Sequence, residues 1–257
     1  MEISDPNLAY IAAVFFSGLV AGFFNVVAGG GSLLTLPVLI FLGLPAATAN
    51  ATNRVGILLQ NVVATATFRR RGLLDVRLGL RLMLAAAPGA VLGALMAVEM
   101  DDRLFRWVLA GIMLLVLVSL IRRRRHPGPG GAPAAAARPQ HPLALYASFF
   151  FVGFHSGFIQ AGVGFVIIAA LNSFGGLGLV RSNGIKVMSI LMIQAIALGI
   201  FAALGSVNWV WGLTLAAGTM LGGWAGVRWQ VIKGELWVYR ILVGAIIAFA
   251  LMLLFYD

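Results

Sequence analysis

The groups with the most chemistry to offer in this chain are amides and cations set inside otherwise apolar segments. Asn25 precedes Gly29-Gly30-Gly31, and Gln160 precedes Gly162-Val163-Gly164. Asn50, Asn53 and Arg54 are three and four positions apart and share one face of a helix; Asn183 and Lys186, three apart, do the same. Asn61 and Gln194 follow about two turns further on in their segments. An unpaired amide facing lipid costs about 2–7 kcal/mol, so these side chains face inward. Two basic groups converging on a central cavity attract an anion and repel cations. Snorkelling of Arg54 and Lys186 to the nearest surface stands beside that reading as its alternative.

The glycines add backbone. Three in a row permit a helix to break. A broken end carries free N–H groups and a partial positive charge, which can hold an anion without a basic side chain. Non-helical backbone at membrane depth must be buried in protein or line a wet cavity. The candidate anion-binding set is therefore Asn25, Gly29, Gly30, Gly31, Asn50, Asn53, Arg54, Asn61, Gln160, Gly162, Gly164, Asn183, Lys186 and Gln194. Close helix packing is the competing account of the glycines, and it is the one assigned to Gly18-xxx-Gly22, Gly89-xxx-Gly93 and Gly218-xxx-Gly222.

Other chemistries find little support. There is no cysteine, and only three histidines, so a thiolate or multi-histidine metal site is not expected. His155 reads as a hydrogen-bonded helix residue. Asp75 and Glu235 are interfacial acids, with no carboxylate at mid-membrane to relay protons. No GxxxxGK[ST], HExxH or triad spacing is present. No enzymatic activity, metal or cofactor is expected.

The elements that position these residues are membrane helices. The composition is 61% hydrophobic and 10% charged, with mean hydropathy +1.00, against about 25% charged in soluble domains. Lipid must solvate much of the surface. The net charge of +10 does not indicate nucleic acid, because Arg69-Arg70-Arg71 and Arg122 to Arg125 sit at segment ends, where they set topology. The N-terminus lacks a basic leader and reads as a retained first helix. Apolar segments fall near 8–28, 31–43, 50–68, 78–98 and 105–121. A basic, Pro/Gly/Ala-rich linker follows over 122–142, then segments near 143–161, 163–179, 183–204, 208–227 and 237–255.

Five segments, a linker and five segments suggest a repeat, with halves 1–121 and 143–257. Gly18, Gly22 and Asn25 recur as Gly153, Gly157 and Gln160, 135 positions later. Gly29 recurs as Gly164 at the same offset, and Asn50, Asn53 and Asn61 recur as Asn183, Lys186 and Gln194, 133 later. Five segments per half reverse the second half in the membrane. With both termini outside, 15 of the 18 basic residues lie on the cytoplasmic side. The expected fold is an all-α polytopic bundle of about ten segments in two inverted repeats with short, broken second helices. If those second segments re-enter, eight true spans remain.

The pattern Gly18-xxx-Gly22-xxxxxx-Gly29-Gly30-Gly31, Leu36-Pro37, Gly43-Leu44-Pro45 and Ala49-x-Ala51-Thr52-Asn53 resembles the sulfite exporter TauE/SafE family of membrane transporters. It returns more loosely as Gly153-xxx-Gly157-xxxx-Gly162-x-Gly164 and Asn183-xx-Lys186, and the likeness covers 8–255. The resemblance implies a bacterial inner-membrane permease that moves sulfite, sulfonates or related anions, usually outward. It implies secondary transport on an ion gradient, with a proton or sodium ion as the candidate coupling ion. The partners are then a small anionic solute and the lipid bilayer. An anion channel and a non-transporting membrane scaffold are the alternatives.

Overall fold

The computed structural model describes residues 7–27, 29–125 and 140–232. Its helices are α1 (Leu8–Val27), α2 (Ser32–Phe41), α3 (Ala46–Arg70), α4 (Val76–Val98), α5 (Asp102–Arg125), α6 (Pro142–Phe158), α7 (Val163–Ser173), α8 (Leu179–Ala203) and α9 (Trp209–Ile232). Among the described residues there is no strand. The segment expected near 237–255 and most of the linker lie outside the described residues.

Local chemistry accounts for several helix starts. The Asp75 carboxylate accepts from the Leu78 amide at 3.0 Å and opens α4. The Asn208 side chain accepts from the Trp211 amide at 3.2 Å and opens α9. Each satisfies an N–H that the first turn leaves free. Pro142 begins α6, where a missing N–H does no harm.

Helices α1, α4, α8 and α9 are each long and apolar enough to cross a bilayer. Their outward faces carry large apolar side chains; Leu84 of α4 and Phe151 of α6 are 68% and 67% exposed, as a lipid-facing surface requires. The ten residues of α2 and eleven of α7 rise only about 15 and 16 Å, half of a ~30 Å hydrocarbon core.

Close contacts at glycine set the relative directions. Gly18 and Gly22 of α1 face the backbone of Leu215 and Thr219, while Gly218 and Gly222 of α9 face Phe15 and Leu19. The contacts advance together along both helices, so α1 and α9 run parallel. A Cβ on Gly22 would lie 2.4 Å from the Thr219 carbonyl oxygen, so only a hydrogen fits. Between α4 and α6, Gly89 and Gly93 face Phe150 and Phe154, and Gly153 and Gly157 face Ala86 and Ala90, again in parallel. Packing of Gly212 on Val55 and of Gly223 on Gln60 aligns α3 with α9. Gly184 against Leu73 and Gly79 against Met188 align α8 with α4. Along the α3–α8 seam, Arg54 meets Gln194, while Lys186 reaches the backbone of Asn25, which is itself bonded to Gln60. That order is antiparallel. Thus α1, α3 and α9 point one way and α4, α6 and α8 the other. One side of the bundle gathers Arg69, Arg70, Arg71, Arg77 and Arg181 at helix ends; the opposite side carries Glu99, Asp101 and Asp102.

Two apolar cores flank the antiparallel centre. One joins α1, α2 and α5 around Leu33, Leu36, Phe105 and Met113; the other joins α4, α6, α7 and α8 around Leu82, Phe149, Ile167 and Ile193. Polar side chains concentrate between them.

Candidate functional site

Both short helices begin at a break. After α1 the chain turns at Gly29, whose φ of 91° suits glycine alone, and α2 starts from Gly31. Leu33 N–H bonds back to the Gly30 carbonyl at 3.0 Å. After α6, Ile159 is extended, Gly162 turns at φ 74°, and α7 starts at Val163. The two breaks touch. A Cβ on Gly29 would lie 2.8 Å from Gly164 Cα, and one on Gly164 would lie 2.4 Å from Gly29 Cα. Gly31 is equally confined, 2.3 Å from the Ala21 carbonyl oxygen. The N-terminal ends of α2 and α7 therefore start from one shared point.

Helix α3 measures the depth of that point. Arg54 lies about 12 Å and Gln60 about 21 Å along a helix about 37 Å long. Arg54 reaches the end of α6 and Gln60 the end of α1. The α1–α2 hairpin thus enters from the acidic side and α6–α7 from the basic side, and their tips pass each other near the middle of α3.

The two cations close the broken ends. Arg54 is fully buried. It donates to the Ser156 carbonyl at 2.8 Å, to those of Gly157 and Phe158, and to Gln194 Oε1 at 2.9 Å. Its guanidinium also lies 4.7 Å over the Phe201 ring. Lys186, also fully buried, donates to the carbonyls of Asn25 and Val26 at 3.1 and 2.9 Å. Each cation thus sits at the C-terminus of a broken helix, which carries about half a negative charge and several free carbonyls. That explains how a desolvated charge is tolerated there. Snorkelling is ruled out by their full burial. Among the described residues the buried polar set holds these two cations and no carboxylate.

The amides form a network around them. Gln194 Nε2 donates to Ser156 Oγ at 3.1 Å and to Gln160 Oε1; Ser156 Oγ donates to Gln160 Oε1 at 2.7 Å. On the other break, Asn25 Nδ2 donates to Gln60 Oε1 at 3.0 Å and Gln60 Nε2 to the Gly22 carbonyl at 3.2 Å. Asn50 Nδ2 donates to the Phe158 carbonyl at 2.9 Å, and Asn53 Oδ1 accepts from Thr35 of α2 at 2.6 Å. Asn61 is turned to its own helix, donating to the Ile57 carbonyl at 2.7 Å. Asn183 is buried with both amide atoms unpartnered among the described residues. Gln160 Nε2, Asn53 Nδ2, Arg54 Nε and Ser189 Oγ are also unpartnered. His155 Nε2 lies 3.0 Å from the Ala161 carbonyl and ties α6 across its own break.

Gln60, Ser156 and Thr35 were not singled out from the sequence. Gln60 stands 134 positions before Gln194 and accepts from Asn25 where Gln194 donates to Gln160. Ser156 lies four positions before Gln160, next to Gly157, a spacing that could have suggested it.

The outer ends of α3 and α8 carry matching ties. On the basic side Arg181 donates to Asp75 at 2.5 Å. On the acidic side the Asn208 amide donates to Thr52 Oγ1 at 3.0 Å. Burial by itself raises the Asp75 carboxyl, but the Leu78 amide, Arg181 and Arg77 outweigh it and hold the group below its ordinary 3.8.

Residues 14–253 match the family described as sulfite exporter TauE/SafE. Similar proteins include "Probable membrane transporter protein ORF9" of a Sinorhizobium species, 28% identical over 98% of this chain and 95% of its own length. A Haemophilus influenzae "Probable membrane transporter protein" is 27% identical over 90% of this chain and 89% of its own. Escherichia coli K12 "Probable membrane transporter protein YfcA" is 28% identical over 88% and 82%. No solved structure matches the chain.

Proposed function

This chain belongs to the sulfite exporter TauE/SafE family and is a multi-pass membrane transporter of the bacterial inner membrane rather than an enzyme; from that premise we propose that it is a secondary exporter of a small oxyanion such as sulfite or an organosulfonate. The observation that carries the reading is the meeting of α2 and α7. Two helix N-termini converge at Gly29 and Gly164 within a buried shell that holds two cations and, among the described residues, no carboxylate, a combination that favours negative charge. Spare donors on Gln160, Asn53 and Arg54 lie in the same shell. In this reading the anion contacts the break backbone at Gly29 to Gly31 and Gly162 to Gly164, together with Asn25, Asn50, Asn53, Gln160, Asn183 and Gln194, while Asn61, bonded to its own helix, does not. Arg54 and Lys186 supply the positive field while capping the broken helices.

We read the architecture as two inverted repeats, α1–α5 and α6 onward. Equivalent helices run oppositely, as α1 does to α6 and α3 to α8. Packing of α1 on α9 has its counterpart in α6 on α4, and packing of α3 on α9 in α8 on α4. Contact between Gly29 and its repeat equivalent Gly164 supports a pseudo-twofold axis through the breaks. The arginine-rich side is cytoplasmic by the positive-inside rule, which puts the start of α1 outside and the end of α9 inside; placing the C-terminus outside as well rests on a further crossing over 237–255, which lies outside the described residues. Transport then alternates access around the axis, with Asp75–Arg181 closing the cytoplasmic side and Asn208–Thr52 the outer side. A proton or sodium gradient drives the cycle.

Uptake of radiolabelled sulfite into proteoliposomes tests this, with sulfonates, sulfate, carboxylates and cations as competitors, with and without pH and sodium gradients. Saturable uptake that sulfur oxyanions block and a gradient accelerates is the expected result. Ohmic, non-saturating anion flux would replace the exporter with a channel. Absence of any flux from folded protein would turn the reading toward a scaffold.

A further inference from the structure

At the basic end of the α3–α8 seam lies a recess of about 580 Å³ lined by Val62, Thr65, Ala66, Arg69, Arg70 and Leu191. It changes character along its length. Arg69 and Arg70 form its rim in the last turn of α3, both exposed, and neither is in an ion pair among the described residues. Val62, 46% exposed, lies about 12 Å further into the bilayer, with Ala66 and Leu191 completing an apolar wall. Between rim and wall stands Thr65. Thr67 and Thr214 each satisfy their hydroxyl on the carbonyl four residues earlier, at 2.7 and 2.9 Å. The Thr65 hydroxyl makes no such bond and is buried without a partner among the described residues.

We infer that this recess binds an anionic phospholipid of the cytoplasmic leaflet. The headgroup phosphate meets the Arg69 and Arg70 guanidiniums, whose planar donors suit phosphate oxygens. A glycerol ester carbonyl, one helical turn deeper, accepts from Thr65. The upper acyl chain covers Val62, Ala66 and Leu191. The chemistry selects a lipid over a free anion because half of the recess is apolar and faces the bilayer. It selects an anionic lipid over a zwitterionic one because a headgroup ammonium would meet two guanidiniums. The occupied lipid anchors the cytoplasmic end of α3, the helix that carries Asn53, Arg54 and Gln60. The inference rests on the orientation set by the arginines and is independent of which anion is transported.

The test is native mass spectrometry of the purified full chain equilibrated with equal amounts of phosphatidylglycerol and phosphatidylcholine. Wild type should retain one phosphatidylglycerol with a preference of about thirtyfold, as two surface arginines supply. That adduct should survive millimolar inorganic phosphate. R69Q/R70Q should bring the preference close to unity. Val62→Trp, which keeps both charges and fills the apolar half, should also lose the retained lipid, and it decides the matter if the double variant does not fold. Equal retention of the two lipids, an unchanged preference in R69Q/R70Q, retention in Val62→Trp, or displacement by inorganic phosphate would each overturn the lipid site.

Discussion

Arg54→Gln separates a helix-capping cation from one that only contacts substrate. The wild-type guanidinium serves three carbonyls in the last turn of α6 and the Gln194 side chain. The Phe158 carbonyl keeps its donor from Asn50, and glutamine at this position reaches one of the other three acceptors, leaving two buried oxygens without donors. Each costs about 1–3 kcal/mol. Loss of a cation at a partly buried helix C-terminus adds up to ~2 kcal/mol. Relief from burying a charge offsets several kcal/mol of that total. The net loss is about 2–5 kcal/mol, which at roughly 2–4 °C per kcal/mol lowers the apparent Tm by about 4–20 °C. Arg54→Lys, which keeps the charge and fewer donors, should lose about half as much. The assay is thermal unfolding of purified protein by tryptophan fluorescence, paired with proteoliposome uptake normalised to folded protein. An unchanged Tm together with a KM raised tenfold or more would refute the capping argument and return Arg54 to direct anion contact.

Further outcomes follow from the same geometry. Gly164→Ala places a Cβ 2.4 Å from Gly29 Cα; it should abolish uptake while protein reaches the membrane, and wild-type uptake would show that the breaks tolerate separation. Gln60→Leu should impair uptake as severely as Gln194→Leu, because both hold the amide next to a break; uptake lost only in the second variant would remove the equivalence. Asp75→Asn should change Tm by no more than about 1 kcal/mol equivalent, since the pair is partly exposed, yet increase cytoplasmic accessibility of a cysteine placed at Gln160. Because the folded carboxyl lies below 3.8, the pair's contribution is present above that value and disappears as pH falls through the lowered pKa; a gating transition with its midpoint between pH 5 and 8 would have to come from another group. Cysteines at Asn25 and Gln160 should change accessibility oppositely when substrate or gradient is reversed, and one fixed pattern under every condition would exclude alternating access.

The helices, their approximate boundaries and the membrane as solvent were legible in the chain. Apolar runs of about twenty residues and arginines at their ends need no tertiary context, because bilayer thickness and backbone hydrogen bonding dictate both. Gly22, Gly89 and Gly218 were legible as packing positions from their small-residue spacing. The polar residues of α3 and α8 were visible too, since an amide in an apolar segment must face inward. Their partners were not. Spacing paired Asn61 with Gln194, but the bundle gives Gln60 the bond to Asn25 and turns Asn61 back to its own helix. A shift of one residue rotates a side chain by about 100° around the helix, so register in the packed bundle decides what an alignment of halves leaves open. Sequence also presented Arg54 and Lys186 as two convergent charges. Only tertiary structure placed each against the carbonyls of a helix from the other half, because those acceptors lie 102 and 160 positions away along the chain. The end of a broken helix acquires a ligand for its dipole only once another helix is packed beside it.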